Sequence, residues 1–178
     1  PSAINGYPVT SIGSYSFTGC SNLKSINIPY GIKTIGSFAF ERAGITQLDI
    51  PGSVTSIGYG AFRICNNLTS AKIHGIIKNM DSWIFELCTK LTSASIAPGN
   101  TSIGYSMFYG CSSLTNIAIP DSVTSIGNSA FYDCSSLTSI NVDENNEKYC
   151  SENGILYNKN KTEIMKFPAK KVDTTFAI

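Results

Sequence analysis

The chain has 178 residues, enough for one ordinary domain, and 42% of them are hydrophobic, which suffices for a sizeable core. The formal net charge is +1 and only 14% of residues are charged, so the composition gives no reason to expect nucleic acid or an anionic membrane as a partner. No apolar run approaches the roughly 20 residues of a transmembrane helix, and we expect no direct membrane insertion by this segment.

The first 142 residues repeat with a period of 22 to 23 residues. The clearest marker of the repeat is the isoleucine of "SIG" or "TIG", which is replaced once by methionine. Successive copies of this residue are separated by 23, 22, 23, 23 and 23 residues. These residues are Ile12, Ile35, Ile57, Met80, Ile103 and Ile126. A phenylalanine follows five places later in every unit: Phe17, Phe40, Phe62, Phe85, Phe108 and Phe131. A fixed period of this length is typical of a solenoid.

Each unit predicts one strand and two bends. The alternating pair Ile26/Ile28 and its equivalents point inward with the strand period of two, while the intervening residues point outward. Proline ends that strand in several units, and the glycine after "SI" favours a second bend. An isolated unit buries too few apolar side chains to be stable, so we expect stacked units to share one parallel sheet and one core.

The unit L-x-x-I-x-I-P-x-x-V-T-x-I-G-x-x-A-F-x-x-C-x-x resembles the BspA-like branch of the leucine-rich repeat superfamily. The resemblance covers residues 1–142 in six units. It implies a leucine-rich repeat solenoid, a right-handed superhelix of β-rich α/β class. Such a fold has a parallel β-sheet on its concave face, and short strands, turns and 3-10 segments on its convex face. The usual asparagine column is missing, and the fourth unit departs most, with His74 in place of proline and Met80-Asp81 in place of Ile-Gly.

The C-terminal region breaks the period. Residues 143–171 predict an inserted β-hairpin, with strands at Gly154–Tyr157 and Glu163–Phe167 around a turn at 158–161. Residues 172–178, with Phe176 and Ile178 spaced as a strand pair, resemble the start of a further, truncated repeat, and the N-terminal "PSAINGYPVTSIG" resembles the middle of a first unit.

Two surfaces are candidate binding sites. The predicted concave face carries two columns of short, nearly uncharged side chains, which either hydrogen-bond an extended ligand or are simply solvated. The first column is Ser25, Gln47, Ser70, Ser93, Asn116 and Ser139; the second is Asn27, Asp49, Lys72, Ser95, Ala118 and Asn141. The second surface is the bend after the glycine, where aromatic residues either anchor a ligand or pack along the convex edge. These are Tyr15, Phe38, Tyr59, Trp83 and Tyr105, of which Trp83 is the best single candidate anchor.

Five of the six cysteines share one column: Cys20, Cys65, Cys88, Cys111 and Cys134. Ala43 occupies the remaining position, which favours buried core thiols. Disulfides between adjacent units are an alternative, because the strand spacing falls within the permitted Cα range. Metal binding or nucleophilic chemistry is disfavoured, since a straight column does not surround a metal ion and the one histidine lies on another face. Cys150 lies outside the column.

No catalytic motif is present, and we expect no catalytic residue, metal site or cofactor. Glu41 and Glu86 share a column but belong to non-adjacent units, and His74 is interpreted as an exposed substitution for proline. The segment "DENNE" at 143–147 either holds calcium or forms a solvated acidic loop, and the second interpretation is favoured.

The resemblance implies a function in binding. BspA-like proteins are typically secreted or exposed on the cell surface and are associated with adhesion to host matrix proteins and to other cells. We therefore expect a non-enzymatic adhesion or ligand-binding module whose partner is a protein or a glycan, such as one of the host extracellular matrix. The alternatives are a recognition or spacer segment of a larger secreted enzyme or multidomain surface protein.

Overall fold

A computed structural model describes residues 3–172, and their regular structure consists of sixteen short strands. In chain order they are β1 Ala3–Ile4, β2 Tyr7–Pro8, β3 Ser11–Ile12, β4 Thr34–Ile35, β5 Gln47–Ile50, β6 Ser56–Ile57, β7 Ser70–Ile73, β8 Asn79–Met80, β9 Ser93–Ile96, β10 Ser102–Ile103, β11 Asn116–Ile119, β12 Ser125–Ile126, β13 Ser139–Val142, β14 Tyr149–Glu152, β15 Ile155–Asn158 and β16 Ile164–Lys166.

The four-residue strands form the long-strand sheet, which is parallel as predicted. It consists of two separately hydrogen-bonded parallel ladders, β5-β7-β9 and β11-β13, rather than the one continuous sheet predicted, and within each ladder equivalent residues of successive units lie side by side. Inward and outward positions alternate along each strand; in β5 Leu48 and Ile50 are buried while Gln47 and Asp49 are exposed. The strand predicted around Ile26 and Ile28 does not form. The second unit is one residue shorter, and Thr46 connects these two segments through its amide and its hydroxyl, which both donate to the Lys24 carbonyl.

The "SIG" segments form a second parallel set, the short-strand sheet. It consists of β3-β4-β6-β8 and β10-β12, with Ile12, Ile35, Ile57 and Met80 in register. The two sets of strands lie on different sides of each unit, with the core between them. The predicted solenoid of stacked units is therefore confirmed.

The third side of each unit is built from turns. Among residues 3–172 there is no helix, so the β-rich α/β class and the 3-10 segments were wrong, and this part of the chain is all-β. The reason lies in the backbone, because two residues per unit in this region adopt positive φ and interrupt any helical run. Inside these turns the six phenylalanines stack with ring centroids 4.9–6.0 Å apart.

The side chain of Asn100 supplies hydrogen bonds to the two units that lack the usual proline turn. In regular units the amide at the valine position bonds to the proline carbonyl three residues earlier, as in Val54 to Pro51. In the fourth unit the Ile77 amide instead donates to Asn100 Oδ1 at 2.8 Å. Asn100 Nδ2 donates to the carbonyls of Gly75 and Ala97. This buried asparagine occupies the valine position of its own unit, and sequence reasoning missed its role.

The region after β13 contains three antiparallel strands rather than the predicted two. β14 and β15 are joined by the Asn153-Gly154 turn, and β16 pairs with β15 with an irregularity at Leu156/Tyr157. This small sheet packs against the last long strand, where the Ile140 amide donates to the Gly154 carbonyl at 2.8 Å. The strand missed by sequence reasoning, "YCSE", lacks the apolar alternation that identifies a strand.

The N-terminal segment matches the middle of a repeat unit only in part. Ser11–Ile12 pairs in the short-strand sheet as in the other units, whereas β1 and β2 form an antiparallel hairpin around Asn5-Gly6. The truncated repeat expected at 172–178 lies, except for Val172, outside the described residues.

Candidate ligand-binding surfaces

The polar columns of the predicted concave face follow the register of the long-strand sheet. Gln47, Ser70 and Ser93 lie side by side, as do Asn116 and Ser139. The second column pairs Asp49 with Lys72 and Ser95, and Ala118 with Asn141. Ser70 and Ser139 are half-buried and the other ten positions are exposed. Ser25 and Asn27 are exposed but belong to no strand, so the part of the polar face that is carried by strands begins at Gln47.

His74 lies at the end of β7 beside this face. Its Nε2 is 3.3 Å from Asp49 Oδ1, and both side chains are more than half exposed. Such an exposed pair contributes little to stability. The predicted exposure of His74 is therefore confirmed.

The predicted aromatic residues form one row on the turn side, which we call the aromatic ridge: Tyr15, Phe38, Tyr59, Trp83 and Tyr105. Each of the first five units contributes one ring, in either of two neighbouring positions. Tyr15 stacks on Phe38 with ring centroids 5.4 Å apart, and Tyr59 meets Trp83 at 6.0 Å with a tilt of 56°. Tyr15, Tyr59, Trp83 and Tyr105 are exposed by 61%, 47%, 37% and 47%, which argues against their being core residues.

Three ridge residues adopt a backbone conformation that is rare for residues other than glycine. Tyr15, Phe38 and Trp83 have φ of 61°, 55° and 64°. The left-handed region costs a residue with a side chain roughly 1–2 kcal/mol. The same position holds Gly60 in the third unit, where an added Cβ would lie 2.7 Å from the Phe38 ring. The fold therefore accommodates a small residue here, and the aromatic rings are not required for packing.

Next to the aromatic ridge, the structure brings together three charged residues of successive units, which we call the charged column. Arg63 Nη1 donates to Glu41 Oε1 at 2.8 Å, and Arg63 Nε donates to Glu86 Oε2. The hydrogen bond to Glu86 is the main cause that raises the pKa of Arg63 above its ordinary value. Glu41 and Glu86 were noted from the sequence as separated carboxylates, but the arginine between them was missed, although the repeat spacing places it in the same column.

A groove of about 480 Å³ lies between the aromatic ridge and the charged column. The column continues beyond Glu86 with Tyr109 and Tyr132, which stack with ring centroids 5.2 Å apart. The groove is lined by Phe38, Arg63, Trp83, Glu86, Tyr105, Ser106, Tyr109 and Ser129. Three of the five aromatic candidates thus line one concavity, together with an ion pair.

The cysteine column forms a row of buried thiols. Cys65, Cys88, Cys111 and Cys134 are fully buried, and each Sγ donates to the carbonyl of the phenylalanine of the preceding unit, at 3.1–3.2 Å. Burial raises the pKa of Cys88 and Cys111 well above the ordinary value and that of Cys134 to about 11. These groups are therefore protonated at neutral pH and poor nucleophiles.

Cys20 corrects the prediction for this column, because its side chain is exposed. The column thiols are covered by the preceding unit, whose phenylalanine carbonyl accepts their hydrogen bond. Among residues 3–172 the first unit has no such neighbour, which leaves Cys20 in solvent. Cys150 is half-buried, and its Sγ lies 3.3 Å from the Asn158 carbonyl.

In the acidic loop at 143–147, a lysine ammonium binds the main-chain oxygens. Lys159 Nζ donates to the carbonyls of Glu144, at 3.3 Å, and of Asn146. The side chain of Asn146 is fully buried and bonds the carbonyls of Pro120 and Val123. The loop thus already has a cation, which favours the interpretation without calcium.

Two further classes of site are unsupported in the described part of the chain. Residues 3–172 contain no group of three or more histidine, cysteine or acidic side chains placed to hold a metal ion. The same residues contain no helix long and apolar enough to cross a bilayer.

Comparison with known families gives a match to the BspA type leucine rich repeat region, in six copies. The matched residues are 4–115 and 101–175, which together cover nearly the whole chain. No curated protein sequence matches the chain.

Three solved structures resemble this one. A leucine-rich repeat protein from Eubacterium ventriosum has a TM-score of 0.66 and 33% identity over 81% of this chain, and a leucine rich cell surface protein from Faecalibacterium prausnitzii has 0.69 and 29% over 100%. The pneumococcal vaccine antigen PcpA, with a TM-score of 0.74 over 97% of this chain, is only 20% identical and shares the fold alone. The chain spans 38%, 56% and 46% of the lengths of these three proteins, respectively.

Proposed function

Because the chain belongs to the BspA-type leucine-rich repeat family, we propose that it is a non-enzymatic adhesion module that binds a macromolecular ligand along the aromatic ridge. The module acts outside the cell, secreted or on the cell surface, and its ligand is a host protein, a glycan or the surface of another cell. The name of the Faecalibacterium prausnitzii relative as a cell surface protein supports this location.

One observation carries the proposal: each of the first five units places an aromatic ring at a bend that glycine or serine can also occupy, and four of these five rings are exposed. Trp83 and Tyr15 occupy a left-handed position where Ser106 and Ser129 stand in later units. Tryptophan and tyrosine are the residues most enriched at binding hot spots, since they bury a large area with few rotatable bonds. Retaining them in a costly backbone conformation supports a role in recognition.

The polar columns are weaker candidates for the main binding site than the aromatic ridge. Their side chains are short and solvated, and each hydrogen bond to a ligand contributes on the order of 1 kcal/mol net. Ala118 interrupts the second column with a methyl group. We therefore assign this face a supporting role in holding an extended ligand, with the anchors on the aromatic ridge.

A binding screen with a matched variant tests the proposal. Wild-type protein is applied to immobilised host matrix proteins and to a glycan array, beside Trp83→Ser, which places in the fourth unit the residue that the fifth and sixth units carry at that position. We expect Trp83→Ser to weaken binding by about 10- to 30-fold, as for a hot-spot residue.

The control variant is Tyr30→Ala. Tyr30 is 75% exposed and lies outside the aromatic ridge, so binding should be unchanged. Unchanged binding by Trp83→Ser would exclude Trp83 as an anchor. The absence of binding to every surface in the screen would contradict the adhesion proposal and favour a spacer segment.

A further inference from the structure

The groove beside Trp83 combines aromatic rings with a polar floor of no net charge. Arg63 and Glu86, which line it, form an ion pair with each other, so the groove offers neither an anionic nor a cationic ligand an excess of opposite charge. Including Glu41, the charged column carries only a single excess negative charge, shared over two carboxylates that already bind the arginine. A neutral ligand is therefore the best electrostatic match.

The polar floor still has hydrogen-bonding capacity in both directions. A guanidinium has five N–H donors, and Arg63 uses Nε and one bond from Nη1 for the two glutamates. The carboxylates retain lone pairs that accept hydrogen bonds, and the hydroxyls of Tyr105 and Tyr109 add groups that donate or accept. A ligand with hydroxyl groups around its edge can satisfy donors and acceptors together.

The walls of the groove are flat, apolar and held in place. Trp83 is supported on one side by Tyr59 at 6.0 Å, and Tyr109 is stacked on Tyr132 at 5.2 Å. The faces of aromatic rings carry partial negative charge and attract the positively polarised C–H bonds of a ligand. A six-membered sugar ring has this combination of a flat C–H face and a rim of hydroxyls.

The repeat of the solenoid also matches an extended chain of sugars. Successive units advance by about 4.8 Å in a parallel sheet, and rings of neighbouring units along the ridge lie 5.4 and 6.0 Å apart. Sugars joined by β-1,4 linkages advance by a similar distance per residue, so consecutive sugars can meet consecutive units. An α-1,4-linked chain curves and cannot follow the same row.

We propose that the groove and the aromatic ridge bind a neutral β-linked glycan, with one sugar ring against Trp83. This inference rests on the proposed function and specifies the chemistry of its ligand. Trp83 is the anchor of one sugar, Tyr105 and Tyr109 of the next unit contact the sugar that follows, and the Arg63–Glu86 pair hydrogen-bonds hydroxyls of the bound chain.

The single tryptophan of the chain makes a direct test possible, because all tryptophan fluorescence comes from the groove. The intact protein is titrated with cellohexaose, mannohexaose, xylohexaose and chitohexaose, and with maltohexaose, which contains the same sugar as cellohexaose in α linkage. At least one β-linked probe should change the emission of Trp83 saturably and reduce its quenching by acrylamide. No response to any β-linked probe up to about 10 mM, or an equal response to maltohexaose, would overturn the inference.

A variant that keeps the fluorescent probe locates the site. Tyr109→Thr places in the fifth unit the residue that Thr18 supplies in the first, and it leaves Trp83 in place. We expect at least a tenfold loss of affinity for the responding probe without a change in the midpoint of thermal unfolding, while Tyr30→Ala retains full affinity. Full affinity in Tyr109→Thr would place the ligand elsewhere and contradict the proposed site.

The outcomes separate this inference from the proposed function. If the oligosaccharides have no effect, but matrix proteins freed of their glycans bind in a manner that Trp83→Ser weakens, the glycan inference fails and the adhesion proposal stands. If neither kind of ligand binds, both fail.

Discussion

A cysteine in the column of buried thiols is held by both shape and hydrogen bonding. The Sγ atoms of Cys88 and Cys111 donate to the carbonyls of Phe62 and Phe85, which belong to the preceding units. Burial without a nearby cation raises the pKa of these thiols, so the protonated form, which can donate, is the stable one. The small volume of cysteine, matched by Ala43 in the second unit, fits this position.

This arrangement predicts how the six thiols react with an alkylating reagent. In the native protein Cys20 should react rapidly and Cys150 slowly, because the first is exposed and the second half-buried. The four buried thiols should react only after denaturation, without reductant. Intact-mass measurement checks the numbers, and Cys20→Ser should remove the rapid reaction. Denatured protein that takes up fewer than six labels without reductant would show that disulfides form.

The backbone at Trp83 shows what a sequence cannot reveal about a single residue. Its position holds tyrosine, phenylalanine, glycine, tryptophan and serine in successive units, so no residue preference indicates its positive φ. The sequence shows only that the aromatic rings alternate between two neighbouring positions of the repeat unit. The exposure of the rings, and therefore the choice between anchoring and packing, depends on that backbone geometry.

At the scale of the repeat unit, the second unit is one residue shorter than the others, and its Gly44 lies directly against the backbone of the first unit. A Cβ on Gly44 would lie 1.9 Å from the Ser21 carbonyl oxygen of the first unit, whereas a Cβ on Gly31 would meet nothing nearer than 3.6 Å. Gly44→Ala must therefore displace backbone, and we expect it to lower the free energy of unfolding by about 1–3 kcal/mol or more.

Gly31→Ala is the matched control for this prediction. Neither glycine has positive φ, so the two substitutions differ mainly in the space around the new methyl group. Urea denaturation at equilibrium should find Gly31→Ala within about 0.5 kcal/mol of wild type. Equal stability of the two variants would show that the first two units are not in close contact at Gly44.

The sequence predicted the core of each unit and the five long strands because their signal is local, although the strand predicted around Ile26 and Ile28 does not form. The inward isoleucines, the stacked phenylalanines and the "SIG" bend repeat at fixed spacing, and each follows from side-chain periodicity. The role of Asn100 could not be predicted in this way, because two of its three hydrogen-bond partners belong to the preceding unit. The groove could not be predicted either, although Arg63 shares the column of Glu41 and Glu86. The depth of the groove depends on how the aromatic rings of neighbouring units pack against one another, which the sequence does not show.

At the scale of the whole molecule, each unit is stabilised chiefly by the units before and after it. The stack of phenylalanines makes this measurable, since an interior ring packs between two others and a terminal ring against one. Phe85 is 1% exposed and lies 5.8 Å from Phe62 and 5.7 Å from Phe108, whereas Phe17 is half-buried and stacks only on Phe40 in the described residues.

Truncating these two rings should therefore have unequal effects. We expect Phe85→Ala to lower the free energy of unfolding by about 3–5 kcal/mol, because it leaves a cavity between two units and interrupts the stack. Phe17→Ala should cost clearly less, since part of its ring is already in contact with water. Denaturant unfolding followed by circular dichroism measures both values, and equal losses would contradict the nearest-neighbour account of stability. Binding should follow the same order, because Phe85 lies two residues after Trp83, which lines the groove, whereas Phe17 lies beside Tyr15, which does not. Loosening the fourth unit should therefore weaken ligand binding more than the change at Phe17 does.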